Sequence, residues 1–383
     1  MNHSKILVLG VGMMGLNYVE KLLEIGIDPA TMIGVDIDES KFDLVRKKVP
    51  QAAGIEFVKN IPGRPLKEFV NVFEIESVFL CTNTPSHHRL LVELMEHGIT
   101  KIFCEKPLAL NMDGVLDVQK AKMRTGANIF TAFLMNFSPA LMHLIERMLA
   151  EDLVLIQGEA SWGKNRFFDP RPTAGDLEDE SVHPTGVFHT LVHAGRQEID
   201  SIHVSARLSW FDYIDKEAQA KANLIDPYFP LKVNSSAFIT ESLRYPSVPF
   251  DVLLHTNSSY VKGKQVRRVE CTFAKRDNPI RPYLATEMNF DTPEGDTLEC
   301  TLLQAKTVEE KLAFKVNKLA IETKAFQEFV RTGHVDPRLT DYLSARMSVK
   351  VTKAIVTSDS LNGAVVMAYG DEQDLLFRKV VNG

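Results

Sequence analysis

Along the first 140 residues, apolar positions fall into short unbroken runs, and the stretches between them place apolar residues three or four apart. "KILVLG", "MIGVD", "EFVK", "SVFLCTN", "KIFCEKP" and "NIFTAF" are unbroken runs and predict strands buried on both faces. "MMGLNYVEKLLEIG" has Met14, Tyr18 and Leu22 four apart and Gly26 as its stop, which predicts a helix. "DESKFDLVRKKV", "HHRLLVELMEHG" and "NMDGVLDVQKAKMRTG" read the same way. Wholly apolar strands separated by helices imply a parallel sheet covered on both sides. Past about residue 150 the period shortens to two. In "SIHVSARLSW", Ile202, Val204, Ala206, Leu208 and Trp210 point one way and Ser201, His203, Ser205, Arg207 and Ser209 the other. Such a strand has one face on a core and belongs to an antiparallel sheet. "RRVECTF" and "TEMNFDTPEGDTLECTLL" repeat the pattern, the second turning at "TPEGD". Helical spacing returns around Ala325, Phe326 and Phe329 and through "SARMSVKVTKAIVTS". Two domains are expected: residues 1–140 as α/β, and 141–383 as α+β with a largely antiparallel open sheet. The C-terminal helices are free to pack back on the first domain.

Composition narrows the function classes. The 383 residues are 45% hydrophobic, enough for a sizeable core, and the formal net charge is -6, which argues against a nucleic-acid partner. No apolar run approaches the ~20 residues of a membrane helix. The four cysteines, Cys81, Cys104, Cys271 and Cys300, are scattered without a CxxC pair. They read as reduced and structural, and the chain as cytoplasmic.

"VLGVGMMG" closes the first strand and opens the first helix, and it carries Gly10, Gly12 and Gly15 in GxGxxG spacing. The first glycine permits the tight turn, the second lets a pyrophosphate approach the backbone, and the third lets helix and sheet pack closely. The pyrophosphate would rest on free N–H groups at the helix start, beside Met13 and Met14. Asp36, followed by Ile37, ends the second strand, where a carboxylate accepts hydrogen bonds from an adenosine ribose and repels a 2′-phosphate. The first domain is therefore expected to be a Rossmann-like dinucleotide-binding domain that takes NAD rather than NADP.

Next come "CTNTPSHHRL" and, one helix later, "KIFCEKPLAL". A strand ending in a Thr-Pro turn, then a helix, then a strand ending in Glu-Lys-Pro, downstream of GxGxxG, resembles the Gfo/Idh/MocA oxidoreductases. The resemblance is strongest over residues 5 to 140. It implies a dehydrogenase or reductase of sugars, inositols and related compounds. It places Lys106 beside the nicotinamide and the reacting carbon, with Glu105 next to it. A lysine at the carboxyl end of a central strand projects into the crevice where ligands bind, and its cation stabilises a developing alkoxide. Thr82, Asn83, Thr84 and Pro85 are expected to line the cofactor crevice, with His88 as a further candidate. Asn136-Phe137 stands where the family often has Arg-Phe, so Asn136 is placed near the cofactor with one charge fewer. The resemblance also implies homodimers or homotetramers built through the open face of the second sheet.

"GDLEDESVHPTG" (175–186) matches a family pattern at Gly175, Leu177, Asp179, Ser181 and His183, while Gly186 replaces its last acid. Asp179 and His183 are four apart and would share a helix face. An imidazole suits proton exchange with a hydroxyl or carbonyl. Asp176, Glu178 and Glu180 read as bystanders. Pro184 should kink or start a helix rather than continue one. A metal site would need Asp179, His183, His189 and His193 to converge; "VFHTLVHAG" reads instead as a packed amphipathic helix, and no metal is expected. Upstream, "WGKNRFFDPRP" offers Lys164, Arg166 and Arg171 for a substrate carboxylate or phosphate, or for a solvated basic loop.

These residues add up to an NAD-dependent oxidoreductase acting on a sugar-like or cyclitol alcohol or ketone. His183 would be its acid/base, Lys106 would polarise the reacting oxygen, and Asp179 would orient His183 or bind a hydroxyl. Lys106, Lys164, Arg166, Asp179 and His183 form the substrate set. Two other readings stand: the same fold acting on a non-sugar ketone or imine, motivated by Pro184 and Gly186, and an NAD-binding protein without turnover.

Overall fold

The computed structural model describes residues 5–60, 66, 73–166, 175–195, 199–211, 216–225, 233–245 and 248–369. The chain divides into two compact units, Met1–Phe137 with Asn317–Val349, and Ser138–Val316 with Lys350–Gly383.

In the first unit, six strands alternate with helices: β1 (Lys5–Leu9), α1 (Met13–Glu24), β2 (Met32–Asp36), α2 (Ser40–Lys48), β3 (Glu56–Lys59), β4 (Ile75–Leu80), α3 (His87–Glu96), β5 (Lys101–Cys104), α4 (Met112–Thr125) and β6 (Asn128–Thr131). They pair in the order β6-β5-β4-β1-β2-β3, all parallel, and a two-residue strand, Thr340–Asp341, joins β6 antiparallel. This is the expected doubly wound sheet. Its strand order reverses between β1 and β4, the place where such sheets open a ligand crevice.

One face of this sheet buries an aromatic stack. Phe79 of β4 and Phe103 of β5 meet Tyr18 of α1 at ring-centroid distances of 5.2 and 5.6 Å. Phe326, from the helix Lys318–Thr332, meets the same two rings at 5.1 and 5.3 Å. The expected helix around Ala325, Phe326 and Phe329 thus completes the core of the nucleotide unit.

The second unit holds α5 (Pro139–Ala150), β7 (Leu153–Asn165), α6 (Val182–Ala194), β8 (Ser201–Phe211), β9 (Val233–Arg244), β10 (Val252–Ser259), β11 (Val261–Lys275), β12 (Pro282–Thr292), β13 (Gly295–Leu302) and β14 (Thr307–Phe314). The sheet order is β14-β13-β12-β11-β7-β10-β9-β8, with Val366–Tyr369 at the β8 edge. Every pairing is antiparallel except β10 with β7. Val269, Cys271 and Phe273 are buried as the alternation predicts.

The alternation in β8 holds only through Ala206. Trp210 is 49% exposed rather than turned to the core. A register shift between Ser209 and Trp210 rotates the strand end, and the indole N–H donates to Asp359 at 3.1 Å.

Candidate functional site

In the first unit, the crevice is built where β1 and β4 end side by side. Gly10 has φ +89, and a Cβ there would meet the Cys81 carbonyl and the Thr82 nitrogen at 2.8 Å. Only glycine permits so close an approach of the two strand ends. A Cβ on Gly15 would overlap the Gly10 carbonyl oxygen, whereas one on Gly12 would meet nothing within 4 Å. The middle glycine faces open space at the start of α1, whose cap has no side-chain hydrogen bond. This is the geometry a pyrophosphate needs.

Asp36 is half-buried. Its Oδ2 accepts from the Val11 N–H at 2.9 Å and its Oδ1 from the Asp38 N–H at 3.0 Å. Burial raises its pKa above the ordinary carboxylate value, against the pull of these backbone bonds. The same carboxylate therefore ties the end of β2 to the glycine turn.

The turn after β4 is a short 3-10 segment, Thr84–Ser86, held by Thr82 Oγ1 to Ser86 Oγ at 2.7 Å and Ser86 Oγ to the Asn83 carbonyl at 2.8 Å. His88 packs towards α4, where a Cβ on Gly114 would meet its ring at 2.9 Å. Its neighbour His87, which the sequence reading passed over, joins the two crevice turns. Its Nδ1 lies 2.8 Å from the Pro107 carbonyl and its Nε2 3.0 Å from the Thr82 carbonyl.

After β5, the Lys106–Pro107 peptide is cis. Glu105 is nearly buried and accepts the Tyr18 hydroxyl at 3.0 Å, and Tyr18 also reaches Glu322 Oε2 at 3.2 Å. Burial, then the nearby Glu105, raises the Glu322 pKa well above the carboxylate range. Glu105 thus anchors the lysine turn to α1. Asn136 donates to Thr340 Oγ1 at 2.9 Å. A guanidinium stands nearby all the same: Arg338 lies 5.1 Å from the Phe137 ring centroid and pairs with Asp336 at 2.6 Å.

In the second unit, the acidic stretch does not form one regular helix. Leu177–Ser181 is a π-helical turn, and α6 begins at Val182. Asp179 and His183 therefore do not sit one α-helical turn apart on a common face as expected. Pro184 explains the break: it has no N–H for the Glu180 carbonyl, and falling in the first turn of α6 it costs least there. Gly175, at φ +127, leads into the π turn, and the Leu177 N–H donates to Asn234 Oδ1 at 2.7 Å.

Asp179 meets Arg166, whose Nη1 donates to Oδ2 at 2.7 Å, and the Tyr260 hydroxyl reaches the same oxygen at 2.7 Å. Tyr260 also contacts the Gly175 carbonyl at 2.8 Å, and the guanidinium lies 5.1 Å from its ring centroid. Lys164 pairs with the buried Glu180 at 2.5 Å. His183 stacks on the fully buried Trp162, ring centroids 5.8 Å apart. Arg171, weighed with Lys164 and Arg166, lies outside the described residues.

Asp176 and Glu180, read as bystanders, are both fully buried. Asp176 accepts from Ser258 at 2.5 Å, Ser258 contacts Ser181 at 2.5 Å, and burial pushes the Asp176 pKa up to about 7. Tyr260 and Ser258 lie more than 70 residues downstream of the acids, and no local motif marks them. His189, on α6, faces Glu241 of β9 at 2.9 Å.

Residues 4–133 match the family described as oxidoreductase family, NAD-binding Rossmann fold, the Gfo/Idh/MocA family. The resemblance read from the TNTP and EKP turns is to that same family, and the match covers the nucleotide-binding third of the chain. An inositol 2-dehydrogenase of Rhodococcus jostii is 34% identical over 129 residues, 33% of this chain and 32% of that relative. The match thus spans about a third of the relative's length. Two solved structures share the fold over nearly the whole chain. The aldose-aldose oxidoreductase of Caulobacter crescentus, complexed with glycerol, has TM-score 0.70 at 14% identity, covering 95% of this chain and 99% of that one. A levoglucosan dehydrogenase in complex with NADH and levoglucosan has TM-score 0.70 at 13% identity, with coverages of 95% and 99%.

Proposed function

We propose that the protein is an NAD-dependent dehydrogenase or reductase that moves hydride between nicotinamide and an uncharged sugar-like or cyclitol alcohol or ketone. The observation that carries the uncharged substrate is how the cations around the acidic stretch are used. Arg166 pairs with Asp179 and Lys164 with Glu180. An anionic substrate would have to compete with these two carboxylates, Glu180 buried and Asp179 partly exposed, whereas hydroxyl groups can add to them. Lys164 and Arg166 then enter recognition through the acids they hold. The names of the inositol and levoglucosan enzymes fall in the same substrate class.

In this reading His183 takes the proton of the substrate hydroxyl during oxidation and returns it during reduction. Stacking on Trp162 fixes its ring plane. Lys106 stabilises the developing alkoxide, and Asp179, held by Arg166 and Tyr260, receives a substrate hydroxyl. NAD, when bound along Gly10, Gly12, Gly15 and Asp36, supplies the hydride acceptor. The chain works in a reducing, cytoplasmic compartment, in keeping with four free cysteines, and as a homodimer or homotetramer. Among the described residues no helix is long and apolar enough to cross a membrane.

The test is a spectrophotometric screen at the nicotinamide band with NAD and a panel of polyols, sugars, amino-sugar nucleotides and cyclic imines. Turnover of unphosphorylated polyols is expected. Turnover confined to imines or charged sugars would favour the non-sugar reading, and NADH binding without turnover of any member would favour a non-catalytic protein.

A further inference from the structure

His87 is buried at the start of α3, and both of its ring nitrogens face backbone carbonyl oxygens. A neutral imidazole carries one N–H. With one proton, either the Pro107 contact at 2.8 Å or the Thr82 contact at 3.0 Å sets an acceptor against an acceptor. Only the imidazolium can donate to both. The two carbonyls belong to the turns that the nucleotide crevice depends on: the TNTP turn after β4 and the turn that carries Lys106. We propose that His87 is a proton-dependent strap that fastens these two turns together, and so positions Lys106 against the cofactor-lining segment.

The strap is poised rather than permanently closed. Burial lowers the His87 pKa below its usual 6.5, the two carbonyls pull it back up, and the charges of Lys106 and His88 lower it further. Lys106, on the turn after β5, and His88, on the same helix, are the titratable groups that face it. At neutral pH the ring is mostly neutral and one carbonyl is without its donor. As pH falls, the second bond forms. A dinucleotide seated against the TNTP turn and the strap then stabilise one another, each raising the other's occupancy by the same factor. This step rests on the proposed nucleotide crevice but not on any turnover.

Two measurements decide it. In nitrogen-15 spectra of the labelled whole chain, the His87 ring is expected to titrate below pH 6.5, with both N–H protons protected from exchange in the acid form. A ring that keeps one tautomer down to about pH 4.5 overturns the proposal. In fluorescence titrations with NADH, the wild type is expected to tighten about five-fold or more as pH falls through the His87 midpoint. His87→Gln and His87→Leu should lose this step. A residue with only a packing role would weaken NADH by the same factor at every pH, and that outcome also overturns it. If either variant fails to fold, the wild-type ring titration decides alone. Absence of NADH binding would sink the nucleotide reading, while the ring spectra would still judge the strap.

Discussion

Asp176 accepts the Ser258 hydroxyl in a site closed to solvent, and burial raises its pKa from 3.8 to about 7. A carboxyl raised in the folded state is protonated there while the unfolded chain has already ionised. Its contribution to stability is complete below about pH 4 and is lost as pH rises through about 7. Asp176→Asn copies the protonated form. The variant is expected to lose much of the wild type's decline in thermal midpoint between about pH 4 and pH 8, measured by circular dichroism, and parallel declines would refute the assignment. At His183 the expectation concerns rate. His183→Ala should lower turnover of the screened polyol by about 10²–10⁴-fold and change the NADH dissociation constant by less than about three-fold, because the ring is proposed to act on substrate. A turnover equal to the wild type's would remove the role. Asp179 and His183 are candidates by their spacing in the sequence, although the π turn removes the shared helix face that this spacing implied. The state of Asp176 was not legible, because the serines that enclose it come from β10 and from the turn itself, and exposure is a property of the fold.

Strands β1 to β6 of the first sheet, and β8, β11, β12 and β13 of the second, were legible because burial writes its period into the sequence, unbroken for parallel strands and alternate for antiparallel ones; β7, β9, β10 and β14 were not read. The failures are local. Trp210 left the expected face because a bulge, which has no residue signature here, shifted the register of β8. The acidic stretch became a π turn because Pro184 denies a donor to the Glu180 carbonyl, a cost the sequence shows but whose resolution it does not. The helix Lys318–Thr332 was recognised as a helix, but its site was open. It docks through Phe326, fully buried against Phe79 and Phe103, with Glu322 reaching Tyr18. Phe326→Ala should cost about 3–5 kcal/mol in denaturant unfolding of the whole chain. A loss below about 1 kcal/mol would show that this helix is not a member of the core.

Over the whole chain, the nucleotide unit takes its strands from the first third and a helix from nearly 200 residues later, and the Tyr18–Glu322 contact spans 304 positions. Periodicity is a local signal and cannot place such a return. The outward face of the nine-stranded sheet raises the remaining question. On β9 and β10 it presents Phe238 at 55% and Leu253 at 42% exposure amid polar neighbours such as Gln157, Glu159 and Asn257. Scattered apolar residues on a solvated sheet face are ordinary. The proposed homo-oligomer requires more of them: the two side chains must lie in a subunit interface, where a buried, unpaired charge is costly. Phe238→Glu combined with Leu253→Glu is therefore expected to shift the chain towards monomer in light scattering coupled to size exclusion, with NADH affinity retained because neither residue belongs to the nucleotide unit. A wild-type chain that is monomeric at tens of micromolar would exclude the assembly. An oligomer indifferent to both charges would move the interface to another surface.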